Sequence, residues 1–270
     1  MSDFATLKNY GDITYKVTHL KHRSEGAKEN RKYTEKGTAG NETKLANNLS
    51  RAKSCVYEYA YCNSWDYFVT LTFDNSLHDR SDLPALMKSF TQYIRDLRKK
   101  GYDIAYLLIP ELHKDGKSWH LHGFLRGLPA SQVKPLKGRL PKRLRDMINS
   151  GRKLYTWTGY AEKFGFCDLE PVQNIEAASK YVLKYITKDM TRTVRELNAH
   201  MYYASQGLNR AMIECAGEMV RGLEYNPFRH DERYYENEYV VVKEYHSHEA
   251  ALRHFFEEAT PDYASIALSV

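Results

Sequence analysis

Trp119-His120-Leu121-His122-Gly123-Phe124-Leu125 reads as a β-strand with two imidazoles on one face, because strand side chains i and i+2 point the same way. Just upstream runs the apolar segment Ile104-Ala105-Tyr106-Leu107-Leu108-Ile109, followed by Pro110-Glu111 and then by His113-Lys114-Asp115-Gly116-Lys117. Asp-Gly between two apolar runs is a strong hairpin signal. Folding the chain back around residues 115 and 116 sets Glu111 opposite His120, within reach of both imidazoles. Two histidines and a carboxylate on one sheet face suit a divalent metal with open coordination positions. His113 shares the face of Glu111 by parity and is the alternative third ligand, although a polar turn role suits it better.

Outward from the hairpin, Tyr67-Phe68-Val69-Thr70-Leu71-Thr72-Phe73 is the best strand in the chain, rich in β-branched and aromatic residues. Tyr67, Val69, Leu71 and Phe73 share the face that suits a core; Phe68, Thr70 and Thr72 share a face that suits a site. Leu45, Leu49, Ala52, Val56 and Ala60 recur four apart or nearly so, which predicts a helix over 43–63. A second helix starts near Ser81-Asp82 with Pro84 in its first turn, buries Leu83, Leu86, Met87, Phe90, Ile94 and Leu97, and stops at Gly101. After the hairpin, Leu140 to Ile148 reads as a short helix. Tyr155–Trp157 and Phe164–Val172 read as strands, and a third long helix begins near Ile175. Antiparallel strands with helices packed on them make an α+β layer architecture.

At 270 residues the chain is long enough for one sizeable core with appended elements. A hydrophobic fraction of 42% with 27% charged residues is globular rather than disordered. No apolar run approaches the ~20 residues of a membrane span, and the start lacks the basic and apolar regions of a secretory signal. The expected location is therefore the cytoplasm, with no membrane partner. Four cysteines without C-x-x-C spacing argue for reduced thiols rather than a zinc knuckle. The net charge of +6 is unevenly spread. Residues 131–153 hold eight basic side chains (Lys134, Lys137, Arg139, Lys142, Arg143, Arg145, Arg152, Lys153) against Asp146, whereas residues 231–262 hold nine acidic and three basic ones. A basic middle and an acidic end fit a polyanionic partner at one surface, and charge alone fits a solvated loop equally well. Three segments are expected: a partly mobile, basic polar arm over 1–42 in which Ile13 to Leu20 can form a short strand, the main domain over 43–200, and an acidic extension over 201–270.

The third long helix carries the second chemical signal, Lys180-Tyr181-Val182-Leu183-Lys184-Tyr185-Ile186-Thr187-Lys188-Asp189. Tyr181 and Tyr185, four apart, fall on one helix face, with Lys184 and Lys188 in a parallel row. Taken alone, this helix is better explained by rim-packing tyrosines and solvated lysines than by chemistry.

Taken together, the three elements resemble the HUH endonucleases, the replication initiators (Rep proteins) of rolling-circle plasmids and phages, and in particular the filamentous-phage gene II-type Reps. Phe68–Phe73 is similar to that family's first motif, His120-Leu121-His122 to its second, and Tyr181 to Lys188 to its third, in the same order over about residues 45–190. The resemblance implies an HUH, RRM-like palm with the His-hydrophobic-His motif on a central strand. It implies a nickase that presents single-stranded origin DNA to Mg²⁺ or Mn²⁺, forms a 5′-phosphotyrosine link, frees a 3′-OH and later rejoins strands. His120, His122 and Glu111 are then metal ligands. Tyr181 and Tyr185 are nucleophile candidates that the motif does not separate, and Lys184 and Lys188 position phosphate or phenolate. The basic stretch could track the DNA backbone, and Tyr155, Trp157 and Tyr160 could stack bases, although core or sheet packing suits these aromatics at least as well. No G-x-x-x-x-G-K-[ST] is present, so a host helicase and polymerase are the expected partners. The alternatives are an HUH transposase or relaxase of a mobile element, and an origin-binding protein that does not cleave. A 2H-type phosphoesterase fails, because the one H-x-[ST] considered for it, His22-Arg23-Ser24, lies in the polar arm. The second H-x-H, His246-Ser247-His248, lies in the acidic segment without a third ligand and reads as structural.

Overall fold

The β-branched stretch Tyr67–Thr72 forms strand β3 at the middle of a seven-stranded antiparallel sheet, in a computed structural model that describes residues 4–11, 14–20, 42–187, 193, 200–219, 233–236 and 240–261. Ahead of β3 come β1 (Phe4–Asn9), β2 (Tyr15–Leu20) and α1 (Glu42–Tyr61). After it come α2 (Leu83–Lys99), β4 (Ala105–Leu112), β5 (Trp119–Arg126), β6 (Val133–Pro135), α3 (Lys142–Asn149), β7 (Tyr155–Trp157), α4 (Thr158–Lys163) and β8 (Cys167–Pro171). The chain continues with α5 (Ile175–Val182), a 3₁₀ turn at Leu183–Tyr185, β9 (Tyr203–Ala204), β10 (Met212–Met219), β11 (Arg233–Glu236), β12 (Val240–Tyr245), α6 (His248–Glu258) and β13 (Ala259–Pro261). The fold is mixed α+β, as the sequence pattern predicts.

Contacts divide the chain into two units, residues 34–209 and residues 1–33 with 210–270. This differs from the expected arm, main domain and extension. Phe4–Asn9 and Tyr15–Leu20 are strands, and β1 pairs along its length with both β2 and β10. Residues 21–41 of the expected arm lie outside the described residues. The smaller unit's sheet runs β11-β12-β2-β1-β10-β13, with Leu7, Val17, Tyr245 and Phe255 in its core. The alternation in Phe4–Asn9 is short and one of its partners lies some two hundred residues away, so the strand carries little local signal. His246-Ser247-His248 belongs to this unit. His248 Nε2 meets Glu214 at 2.9 Å and its ring stacks on Tyr15.

In the larger unit the sheet order is β6-β7-β8-β3-β5-β4-β9. Val69 and Leu71 lie in register with Gly123 and Leu121 and face one way. Phe90 of α2 meets Tyr106 of β4, Tyr160 and Phe164 in this core. The six α2 residues expected from periodicity are all buried, each contributing about 1.5–3 kcal/mol relative to exposure. The helix begins where Asp82 accepts a hydrogen bond from Ala85 N at 2.9 Å and where Pro84 occupies the first turn. Phe68, Thr70 and Thr72 face the other way, in register with Phe124, His122 and His120. Trp65, in the connection after α1, stacks on Phe124, and Tyr181 of α5 meets Phe68 edge-on, so this face is covered too. No helix among the described residues is long and apolar enough to cross a membrane.

Within the hairpin, Glu111 pairs with His120 as the turn at Asp115-Gly116 predicts. Asp115 accepts from Lys117 N and Ser118 N at 2.8 Å, and Gly116 takes a positive φ of 69°. Gly123 has φ 155°, and a Cβ there would come within 1.9 Å of the Leu107 carbonyl oxygen. The residue after the second histidine must therefore lack a side chain for β5 to lie this close to β4.

Candidate active site

Cross-strand pairing gathers the polar residues of one sheet face into rows. Thr70 lies opposite His122 on β5 and opposite Asp168 on β8; Thr72 lies opposite His120, which in turn faces Glu111. A cleft of about 850 Å³ opens over this face, and Thr70, Glu111, His122, Asp168, Tyr181 and Tyr185 are among the residues that line it.

His120 makes two contacts that fix its tautomer. Its Nε2 lies 3.5 Å from Arg80 Nη2 and its Nδ1 lies 3.0 Å from Thr72 Oγ1. Arginine only donates, so Nε2 presents its lone pair and Nδ1 carries the proton given to Thr72. Burial, reinforced by Arg80, lowers the pKa of His120 to about 4 and keeps the ring neutral near pH 7. A hydrogen bond through the far nitrogen is the arrangement that orients a ligating imidazole.

His122 is nearly buried, and its Nε2 meets Glu111 Oε2 at 2.7 Å. The carboxylate thus reaches diagonally past its register partner to the second histidine. That hydrogen bond, opposed by burial, holds Glu111 below its usual range and ionised. His122 Nδ1 is buried with no hydrogen bond among the described residues. His113 lies on the turn, with Nδ1 3.7 Å from Asp115 and its ring 5.0 Å from that of His120. Among the described residues no group of three or more His, Cys, Asp or Glu stands in ligating geometry. Two imidazole nitrogens and a carboxylate oxygen are nonetheless a donor set that a divalent ion accepts.

The tyrosines part company in space. The regular helix ends at Val182, earlier than the sequence pattern predicts, and Leu183–Tyr185 winds as a 3₁₀ turn. Tyr185 turns onto the sheet, 8% exposed, its ring parallel to His122 with centroids 4.0 Å apart. Tyr181 stays 47% exposed, and the Tyr185 hydroxyl donates to the Tyr181 oxygen at 3.5 Å. Lys184 Nζ sits 3.6 Å from the Tyr181 ring centroid and 4.7 Å from that of Tyr185. Burial alone would raise the Tyr181 phenol, but Lys184 and Tyr185 outweigh it and hold the group below its ordinary value. Burial, and then the hydrogen bond it gives, raise Tyr185. Lys188 lies outside the described residues.

Asp168, which periodicity did not single out for the site, also lines the cleft, together with Thr70 of the expected site face and Arg143 from the basic stretch. Of the proposed base-stacking residues, Trp157 and Tyr160 are fully buried in the core, whereas Tyr155 is partly exposed beside Tyr67. Phe68, Met147 and Val172 supply the apolar wall of the cleft instead.

Burial lifts the Asp168 carboxyl above the usual carboxylate range, against the opposing pull of Arg143 and Thr70. An unfolded aspartate titrates near 4. The folded protein therefore binds more protons than the unfolded chain just above that pH, and stability falls as pH rises through this window. Asp168→Asn is expected to raise the thermal midpoint at pH 7 by roughly 2–4 °C, with the gain shrinking toward pH 4. Melting curves of both proteins at the two pH values check this, and a gain independent of pH contradicts it.

Residues 66–190 match the family model described as replication-associated protein ORF2/gene II protein. No curated protein and no solved structure matches the chain. The matched segment runs from the start of β3 past the tyrosine helix, so it contains all three motifs.

Proposed function

We propose, from residues 66–190 being a replication-associated segment of the ORF2/gene II protein type, that the chain initiates replication by nicking and rejoining single-stranded origin DNA through a tyrosine. The observation that carries this reading is the convergence of Tyr181, Tyr185, Lys184, His122 and Glu111 on one cleft. An imidazole beside a carboxylate is explicable by packing. A pair of hydrogen-bonded phenols beneath an ammonium, opening onto the same cleft, is a nucleophile with its activating groups.

Tyr181 is the attacking residue in this proposal. Its hydroxyl is the more accessible, and the negative charge that attack requires is stabilised by the Tyr185 hydroxyl and the Lys184 ammonium. As the bond from the Tyr181 oxygen to phosphorus forms, the bond from phosphorus to the 3′-oxygen breaks. The phenol loses one proton to solvent and the departing 3′-oxygen takes one up, so no oxidant, reductant or nucleotide is consumed. Keeping the phosphodiester energy in the tyrosyl link lets the reverse reaction reseal the strand. Tyr185 holds the Tyr181 oxygen and keeps His122 in place by stacking. A Mg²⁺ or Mn²⁺ ion held by His120, His122 and Glu111 would polarise the scissile phosphate. The apolar wall at Phe68, Met147 and Val172 suits an unstacked base next to that phosphate. Unwinding and synthesis fall to a host helicase and polymerase in the bacterial cytoplasm.

Incubation of the protein with Mn²⁺ and an end-labelled pool of random single-stranded oligonucleotides tests the proposal. A protein–DNA adduct that resists SDS is expected, and sequencing the captured strands gives the cleavage site. No adduct, with the pool nevertheless bound, favours an origin-binding protein that does not cut.

A further inference from the structure

Two arginines of the basic stretch reach the cleft, and they are in different states. Arg152 is engaged by both oxygens of Glu170, with Nε at 2.6 Å from Oε1. Its fork is already filled by a carboxylate. Arg143 has Nη2 3.5 Å from Asp168 Oδ1 and Nη1 3.6 Å from the Met147 sulfur. Contacts this long orient a guanidinium without saturating its five donors. Arg143 leaves the first turn of α3, with its side chain 62% exposed, and Asp168 rises from the sheet floor with a side chain 10% exposed.

We propose that Arg143, aimed into the cleft by Asp168, grips the scissile phosphate and neutralises the charge that gathers on its non-bridging oxygens during strand transfer. The ligand is a phosphodiester of single-stranded DNA. The planar fork matches two phosphate oxygens. The helix that carries Arg143 lies outside all three motifs, and Arg143 and Lys184 both line the cleft that holds the tyrosines. Arg143 exerts its field on Tyr181 and Tyr185 as well as on Asp168. Arg143 acts on the reacting group, and Asp168 is a positioning residue that acts through Arg143. This assignment rests on the strand-transfer reading above.

The test uses the full chain, Mn²⁺ and an oligonucleotide captured by the wild-type protein, with adduct formation followed in a single turnover. Arg143→Ala is expected to slow the reaction by roughly 10²-fold, the scale of losing one donor to developing charge. Affinity for the same strand should change by less than about fivefold, since many phosphates share the binding. Arg143→Lys should recover only part of the rate because it lacks the fork, whereas added guanidinium should accelerate Arg143→Ala and leave the wild type unchanged. A methylphosphonate at the cleavage site removes the charge that Arg143 meets, so on that substrate the penalty for Arg143→Ala should largely vanish. Asp168→Asn should slow the wild type by roughly tenfold but add nothing to Arg143→Ala, because the two act as one unit. Adduct formation by Arg143→Ala at the wild-type rate, or an undiminished penalty on the methylphosphonate, overturns the assignment while leaving the tyrosine reaction standing. A wild-type protein that forms no adduct with any strand of the pool removes the strand-transfer reading, and this assignment falls with it.

Discussion

Tyr181→Phe is expected to abolish the covalent DNA adduct, a loss of at least about 10³-fold, while Tyr185→Phe retains it at roughly one tenth of the wild-type rate. The two substitutions each remove one hydroxyl, and the asymmetry follows from where those hydroxyls sit. Tyr181 is half exposed on the cleft wall, and its oxygen accepts the hydrogen bond from Tyr185. Removing the donor costs one hydrogen bond to a developing phenolate; removing the acceptor removes the atom that bonds to phosphorus. Tyr185 is 8% exposed and stacked on His122, whereas Tyr181 is 47% exposed. Mass spectrometry of the DNA-linked peptide identifies the residue directly. Linkage through Tyr185 in the wild type would reverse the assignment, and comparable linkage through both would show that they alternate.

The second large effect concerns His120 and His122. His120→Ala combined with His122→Ala is expected to remove nicking in Mg²⁺ and in Mn²⁺ by roughly 10³-fold or more, with affinity for single-stranded DNA within about threefold of wild type. Affinity should survive because, on the proposed reading, it would come from arginine and lysine contacts to many phosphates, and neither histidine belongs to the basic stretch. Both side chains lie on a strand whose neighbours are set by backbone pairing, so the sheet should tolerate their truncation. Gel assays of nicking and fluorescence anisotropy of binding, run on one preparation, separate the two outcomes. Nicking that persists would move the metal, or the need for one, away from these residues.

Much of the larger unit was legible in the chain because its cues are local. Alternation in Tyr67–Thr72, the capped and amphipathic Leu83–Lys99, and Asp115-Gly116 between two apolar runs each need only a few neighbouring residues to be read. The period of two then places Thr72, His120 and Glu111 in one row, and Thr70 beside His122. The threonine face of β3 was for the same reason readable as the site face.

What escaped that reading depends on groups brought together from far apart. Asp168 reaches the site because β8 pairs with β3 across nearly a hundred residues, and Arg143 because α3 reaches the cleft from the basic stretch. The pairing of β1 with β10 had no local trace at all. Tyr181 and Tyr185 start identical Tyr-x-x-Lys sequences four residues apart, so nothing in their spacing ranks them. Their difference arises where the helix tightens at Leu183, and one ring is captured by His122 while the other stays at the cleft. Residue types and periods settle which side chains share a face. Burial and contact settle what each can do, since one phenol is raised by burial and by the hydrogen bond it donates, while the other is lowered by an ammonium and by the hydrogen bond it accepts.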